Sequence, residues 1–206
     1  MRYLGPKNRL ARREGVDLGL KTPGSKSHAQ LLRKLNIRPG QHGTKSRRKV
    51  SDRAMQLREK QKLRFIFGLT EKQLKKYFKT ASVKKGNTAL YVGQFLEKRL
   101  DNVVYRLSMA PTRASARQLV RHGHITVNDK KLTIPSHQVH LNDMIGFSKE
   151  ASQKIPYIEK SLVNKDVIVP SWLERKATMG KLVAEPTHDE VEKQVNLRLV
   201  IEYYSR

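Results

Sequence analysis

Leu100, Val103, Val104 and Leu107 fall at i, i+3, i+4 and i+7, the stripe of a helix that buries one face. The same phase puts Arg99 and Arg106 on the other side. Pro111 interrupts the run, and the Thr112 hydroxyl is suited to accept from the free amides of a new first turn. The helix that follows turns Ala116, Leu119 and Val120 inward, and Gly123 stands where a left-handed C-terminal cap is wanted. Arg113, Arg117 and Arg121 recur every four residues along it, so three guanidinium groups form a column. The period then drops to two. Ile125 and Val127 alternate with His124, Thr126 and Asn128, Asn128-Asp129 is a turn pair, and Leu132, Ile134, Val139 and Leu141 continue the alternation. Asn142-Asp143 turns again before 144–147. The expectation is two short helices packed on a short antiparallel sheet, with one arginine-rich face.

The flanks carry weaker patterns. Residues 1–24 have scattered apolar anchors broken by Gly5-Pro6 and Pro23-Gly24, which reads as a basic extended arm with at most one short helix, ordered by a partner more than by a core. Residues 26–37 carry Leu31, Leu32 and Leu35 at helical spacing up to Pro39-Gly40, and Lys45-Ser46-Arg47-Arg48-Lys49 follows. Ser51 and Asp52 open a longer helix with Met55, Leu63, Ile66 and Phe67 inward and Arg58, Lys60, Lys62 and Arg64 outward. Thr70 and Gln73 have the spacing of a capping box. The helix they start fills one stripe with Leu74, Tyr77, Phe78 and Ala81 and another with Lys72, Lys75, Lys76 and Lys79. Lys84-Lys85-Gly86-Asn87 is a loop, and Thr88 caps a helix holding Leu90, Phe95 and Leu96. Beyond Phe147, residues 154–163 read as a helix and Trp172 as buried beside it. Residues 181–184 and 197–204 both alternate and read as a strand pair.

Charge decides what such a chain faces. Of 206 residues, 43 are Lys or Arg and 18 are Asp or Glu, a net charge of +25. Such a surface attracts polyanions and repels itself without them. Residues 1–90 hold 25 basic against 5 acidic groups, and residues 91–206 hold 18 against 13, so the N-terminal half carries most of the electrostatic footprint. There is no Cys, which excludes disulfides, cysteine-ligated zinc and thiol nucleophiles. No apolar run reaches the ~18 residues of a spanning helix, and the basic N-terminus lacks the apolar core of a signal peptide. The seven His residues invite a metal reading, but His122, His124, His137 and His140 have only Asp143 and Glu150 near them, too few ligands for a closed site. No phosphate-cradling glycine loop, nucleophile elbow or paired-carboxylate pattern is present.

The 99–147 run resembles the small RNA-binding domain named after the fourth protein of the small ribosomal subunit, which also occurs in some pseudouridine synthases, tyrosyl-tRNA synthetases and a heat-shock protein. The resemblance reaches both ends of the chain. Arg2-Tyr3-Leu4-Gly5-Pro6, Pro39-Gly40-Gln41-His42-Gly43, Leu57-Arg58-Glu59-Lys60-Gln61-Lys62, residues 99–106 and Glu202-Tyr203-Tyr204-Ser205 are all similar to that ribosomal family in its bacterial type. Many members hold a zinc ion through N-terminal cysteines. Those cysteines are missing here, and His28 and His42 alone do not make a tetrahedral site, so the resemblance is to a zinc-free variant and no cofactor is expected.

The resulting expectation is an α+β protein. Residues 1–50 are a basic arm and loop, residues 51–96 a helical domain completed by 160–206, and residues 97–159 the small RNA-binding domain. The function implied is a structural, non-enzymatic constituent of the small subunit. It would bind the 5′ domain of small-subunit rRNA, nucleate assembly, and lie near the mRNA entry channel. It would also touch small-subunit protein five, which influences decoding accuracy. An RNA-modifying enzyme that docks through the small domain is a second reading, though no catalytic domain is visible in either flank. A translational repressor is a third. The expected RNA-binding residues are Arg2, Tyr3, Lys7, Arg9, Arg12 and Arg13 in the arm, and Lys45, Arg47, Arg48 and Lys49 toward mRNA. In the helices they are Arg53, Arg58, Lys60, Lys62, Arg64, Lys72, Lys76, Lys84 and Lys85. In the small domain they are Arg99, Asn102, Arg106, Thr112, Arg113, Arg117, Arg121, His122, His124 and Asn128. No membrane or small-molecule substrate is implied. The place is the ribosome of a bacterial-type cytoplasm, with an organellar ribosome the alternative.

Overall fold

The computed structural model describes residues 3, 5–45, 49–163, 169–187 and 194–205. Arg2, Arg47 and Arg48, with Val167 and Ile168, lie outside the described residues. The chain divides into two compact units, one formed within 1–92 and 192–206, the other within 93–191. Ten helices and one five-stranded antiparallel sheet are found among the described residues, an α+β architecture.

The first unit is helical. Helix α1 (Lys7–Glu14) ends at Gly15, whose φ of 70° lets its N–H reach the Ala11 carbonyl. It buries Leu10 and Ala11 where it meets the next two helices, and Leu18 is 1% exposed, so the basic arm has buried anchors that the sequence did not suggest. Helix α2 (Lys26–Arg33) is capped by Ser25 and buries Leu31 but leaves Leu32 half-exposed. Helix α3 (Asp52–Ile66) starts at the Ser51 cap. Leu63, Ile66 and Phe67 face inward as expected, and only the first half of the helix departs from the expected phase. Met55 is exposed, while Gln56, Lys60, Leu63 and Ile66 are buried. Helix α4 (Glu71–Ser82) has the expected capping box, with the Gln73 N–H donating to Thr70 Oγ1 at 3.3 Å. Helix α5 (Thr88–Glu97) begins on Asn87 instead of Thr88, since Asn87 Oδ1 accepts from Ala89 N at 3.0 Å.

The C-terminal run is a correction to the strand reading. Residues 197–204 form helix α10 (Leu197–Tyr204), not a strand. Asn196 caps it by accepting from the amides of Arg198 and Leu199, and Val200 is buried. It packs on α3, where Gln56 donates to Glu202 at 2.9 Å and the Asn196 N–H donates to Glu59 at 3.0 Å.

In the second unit, helix α6 (Leu100–Arg106) buries Leu100, Val103, Val104 and Leu107 with no exposed area. Helix α7 (Arg113–Arg121) buries Ala116, Leu119 and Val120. The two share a core with strands β1 (Ile125–Val127) and β3 (Met144–Phe147), and the exposed β2 (Lys130–Lys131) pairs with the edge of β1. Asn128 and Asp129 both adopt positive φ (49° and 61°), the geometry of a tight hairpin turn. Leu132 and Val139 serve the core outside any strand, and Ile134 and Leu141 are exposed, so the alternation overstates strand length there. After α8 (Glu150–Gln153) and α9 (Pro156–Val163), strands β4 (Leu173–Lys176) and β5 (Met179–Leu182) pair with each other and β5 joins β3. The sheet order is β2-β1-β3-β5-β4. Residues 173–182, grouped with the helical domain in the sequence reading, thus build this sheet. Trp172, 1% exposed, belongs to the same core as Ile158 of α9.

Candidate nucleic-acid interface

The most organised cationic surface lies where α6 meets α7. Thr112 accepts from the Ser115 N–H at 3.2 Å, and the Thr112 N–H donates to the Ser115 hydroxyl at 3.1 Å, a reciprocal cap that sets the direction of α7. Gly123, at φ 72°, ends the turn after it. Between these caps Arg113 and Arg117 are partly covered and Arg121 is exposed. The Arg113 guanidinium lies 4.6 Å from the Tyr105 ring centroid, and its Nε donates to Asn102 Oδ1 at 2.8 Å. Arg117 stands 3.8 Å from Asp101. Arg106, the last residue of α6, makes a two-point pair with Glu97 at 2.7 and 3.0 Å. Planar forks fixed in this way suit phosphates and the faces of unpaired bases.

Several expected contact residues are turned inward. Arg99 is fully buried and donates twice to Asp101, at 3.0 and 2.7 Å, instead of pointing away from the core with Arg106. An isolated bridge to Gln138 holds its backbone. Asn102 is 2% exposed and donates to the Glu97 side chain and carbonyl. Thr112 is 7% exposed and serves as a cap. Lys60 is 5% exposed, 3.0 Å from Glu71, with its ammonium 4.3 Å from the Tyr203 ring centroid. These four hold structure. Burial of the Arg99 and Lys60 charges without such partners would cost several kcal/mol, and an unpaired Asn102 amide or Thr112 hydroxyl about 1–3 kcal/mol.

Electrostatics around Lys60 follows from that packing. Burial alone would raise the Glu71 carboxyl, but hydrogen bonds from Tyr204 and Lys60, with the charges of Lys60 and Arg64, outweigh it and hold it below the ordinary value of 4.5. Burial, followed by its bond to Glu71, pushes the Tyr204 phenol up. In α1 burial pushes Glu14 up despite the nearby Arg58 and Lys62.

The remaining cations face outward. On α4, Lys72, Lys75, Lys76 and Lys79 are all exposed, opposite buried Leu74 and Ala81. Arg9, Arg13, Lys45, Lys49, Arg53, Lys84 and Lys85 are exposed, and Lys7 is partly so. Tyr3 is 43% exposed and meets Phe65 edge-on. Arg12 is committed to the Ile37 and Arg38 carbonyls, and Arg58 donates to the Arg13 carbonyl. Lys62 pairs with Glu59 at 2.6 Å, and Arg64 stacks on Phe65. His122 is exposed, His124 bonds the Ser152 hydroxyl at 2.9 Å, and the exposed Asn128 donates to Asp143. Glu97 and Asp101, which organise the arginines, were not among the expected site residues. Their signal was local, two acids within five residues of a basic helix.

His137, His140 and Asp143 bring one ligand atom each within 4.8 Å of the others. Asp143 already accepts from Asn128 and from the His140 N–H, both at 2.8 Å. Two imidazoles and one engaged carboxylate fall short of a closed tetrahedral set. His28 bonds Asp17 at 2.7 Å. No described helix is long and apolar enough to cross a membrane.

Comparison with known proteins agrees with this geometry. The family model described as the ribosomal protein S4/S9 N-terminal domain matches residues 2–97, and the S4 domain model matches residues 98–145. The chain is 46% identical to small ribosomal subunit protein uS4 of Aquifex aeolicus over 213 aligned residues, covering 100% of this chain and 99% of that protein. It is 46% identical to uS4 of a Sulfurihydrogenibium species, covering 99% and 98%, and 44% identical to uS4 of Stenotrophomonas maltophilia, covering 100% and 99%. Identity of this degree over both domains and both termini makes the chain a member of the uS4 family of small ribosomal subunit proteins.

Proposed function

We propose that this chain seats on the 5′ domain of small-subunit rRNA, at a junction of helices, and nucleates assembly there. It is a structural ribosomal protein, not an enzyme. The observation that carries the reading is the α6–α7 surface, where Arg106, Arg113 and Arg117 are pre-set by neighbours and Arg121 extends the column. The lysine stripe of α4 adds a second cationic face in the other unit. Recognition is of folded shape and phosphate position, with little reading of base edges.

Lys45 and Lys49, with Arg47 and Arg48, form the part assigned to the mRNA entry channel. The support is their charge density, four cations in five residues. A contact with small-subunit protein five, through which decoding accuracy is influenced, falls to the C-terminal part. Residues 160–206 carry 8 basic and 7 acidic groups, a balance suited to a protein neighbour. Met144 and Met179 are each about half-exposed on the outer face of β3 and β5, beside exposed Leu141 and Val183. That apolar stretch fits a protein better than a polyanion.

The test is filter binding of the full chain to the isolated 5′ domain of small-subunit rRNA across a salt series. For eight to ten phosphate contacts the log–log slope is on the order of −6 to −8. The variant R113Q/R117Q/R121Q lowers the slope by roughly two to three and weakens binding at moderate salt. A slope near zero, or an unchanged dissociation constant in the variant, overturns the reading.

A further inference from the structure

We propose that Glu97 is a positioning residue for RNA binding: its buried carboxylate sets the Arg106 fork directly and the Arg113 fork through Asn102, so that an acid strengthens the grip on a polyanion. The inference rests on the reading that the α6–α7 face meets rRNA.

Glu97 is the last residue of α5 and has no exposed area. Its two oxygens are divided. Oε1 accepts from Arg106 at 2.7 Å, and Oε2 accepts from Arg106 at 3.0 Å and from the Asn102 amide at 2.7 Å. The Asn102 amide also donates to the Glu97 carbonyl at 2.9 Å, which fixes its orientation and leaves Oδ1 pointed at Arg113. Arg113 is therefore aimed by Glu97 at one remove, with Tyr105 beneath it. The Arg106 side chain keeps 22% of its surface exposed while Glu97 keeps none, so a ligand meets the cation and not the acid. Asp101 holds the buried Arg99 by two hydrogen bonds and stands 3.8 Å from the partly exposed Arg117.

An arginine held this way has already lost much of its rotamer freedom before RNA arrives. Each such side chain left mobile costs roughly 0.5–1.5 kcal/mol on binding, a factor of about two to twelve in affinity. Ground-state pairing opposes this only in part. The Arg106 side chain keeps 22% of its surface exposed beside the pair, so the cation stays within reach of a ligand.

Glu97→Gln separates this role from bulk electrostatics by sign. Removing one negative charge raises the net charge from +25 to +26 and by Coulomb's law tightens RNA binding. Loss of positioning weakens it. The experiment is filter binding of full-length E97Q to the 5′ domain of small-subunit rRNA, with folding checked by amide NMR and by thermal melting. The proposal expects affinity lower by roughly three- to tenfold at an almost unchanged salt slope. The loss shrinks when R106A is already present. Affinity equal to or above wild type in a folded E97Q overturns the proposal. If E97Q does not fold, Arg106→Lys decides, because it keeps the charge at a partly exposed position and removes the planar fork. Weaker binding by R106K supports positioning, and unchanged binding overturns it. If R113Q/R117Q/R121Q binds as wild type does, the rRNA reading of this face fails and the proposal with it. If that variant binds weakly while E97Q and R106K match wild type, only the positioning role fails.

Discussion

The Lys60 ammonium stands 4.3 Å from the centroid of the Tyr203 ring, so a lysine in the middle of a basic helix is engaged by the terminal helix. Its second partner, Glu71, is 3.0 Å away. Lys60→Ala removes a charged hydrogen bond and a cation–π contact, and lowers stability by about 1–2 kcal/mol. The salt slope for RNA binding stays at the wild-type value. Denaturant unfolding and filter binding check the two halves, and a reduced slope would return Lys60 to the interface.

Glu71 supplies a pH signature. Its carboxyl is depressed in the folded protein, so its contribution is complete above the ordinary value of 4.5 and is lost as the pH falls through the folded value. The Tyr204 hydroxyl donates to it at 2.7 Å. Tyr204→Phe removes that donor and brings the folded carboxyl back toward its ordinary value. The variant is less stable than wild type at neutral pH, loses less on acidification, and the end of its loss is displaced to a higher pH. Melting temperatures collected from neutral pH down to about pH 3 measure the displacement.

The start of α7 depends on one hydroxyl. Thr112→Ala leaves the Ser115 N–H without its cap and destabilises the unit of residues 93–191 by about 1 kcal/mol. Thr112→Ser keeps the oxygen and retains most of the stability. Equal losses in the two variants would show that the hydroxyl is not the cause.

Gly180 marks the closest approach of the sheet to α6. A Cβ there would fall within 3 Å of three atoms of the Leu107 side chain, which has no exposed area. Gly180→Ala forces a shift in the core and costs about 1–3 kcal/mol. Chemical denaturation measures it, and a neutral result would mean that Leu107 finds a second rotamer.

Much of this fold was legible in the residues. The stripes of α4, α6 and α7, the Thr70–Gln73 capping box, the Thr112 cap, the Asn128-Asp129 turn and the arginine column are local patterns, and local patterns survive folding. What misled was charge whose partner is hidden. Arg99 reads as a surface cation by phase, and only the bend between α5 and α6 turns it onto Asp101. Lys60 finds Glu71 across a helix boundary and Tyr203 at the far end of the chain. The 197–204 run has apolar residues at both period 2 and period 3.6, so periodicity could not choose, although Asn196 was a readable cap. The strand pair β4–β5 is only four residues a side, and its place beside β3 is a long-range pairing that no local pattern encodes.

A probe on α7 tests whether its arginine face lies on small-subunit rRNA. The chain has no cysteine, so Gln118→Cys places a single iron chelate on an exposed position of α7, one turn from Arg121. Hydroxyl-radical cleavage of rRNA in reconstituted particles then reports what that face touches. Strong cuts confined to the 5′ domain are expected, and their loss when R113Q/R117Q/R121Q is added. Cuts confined to another domain, or none in particles that contain the protein, would contradict that placement.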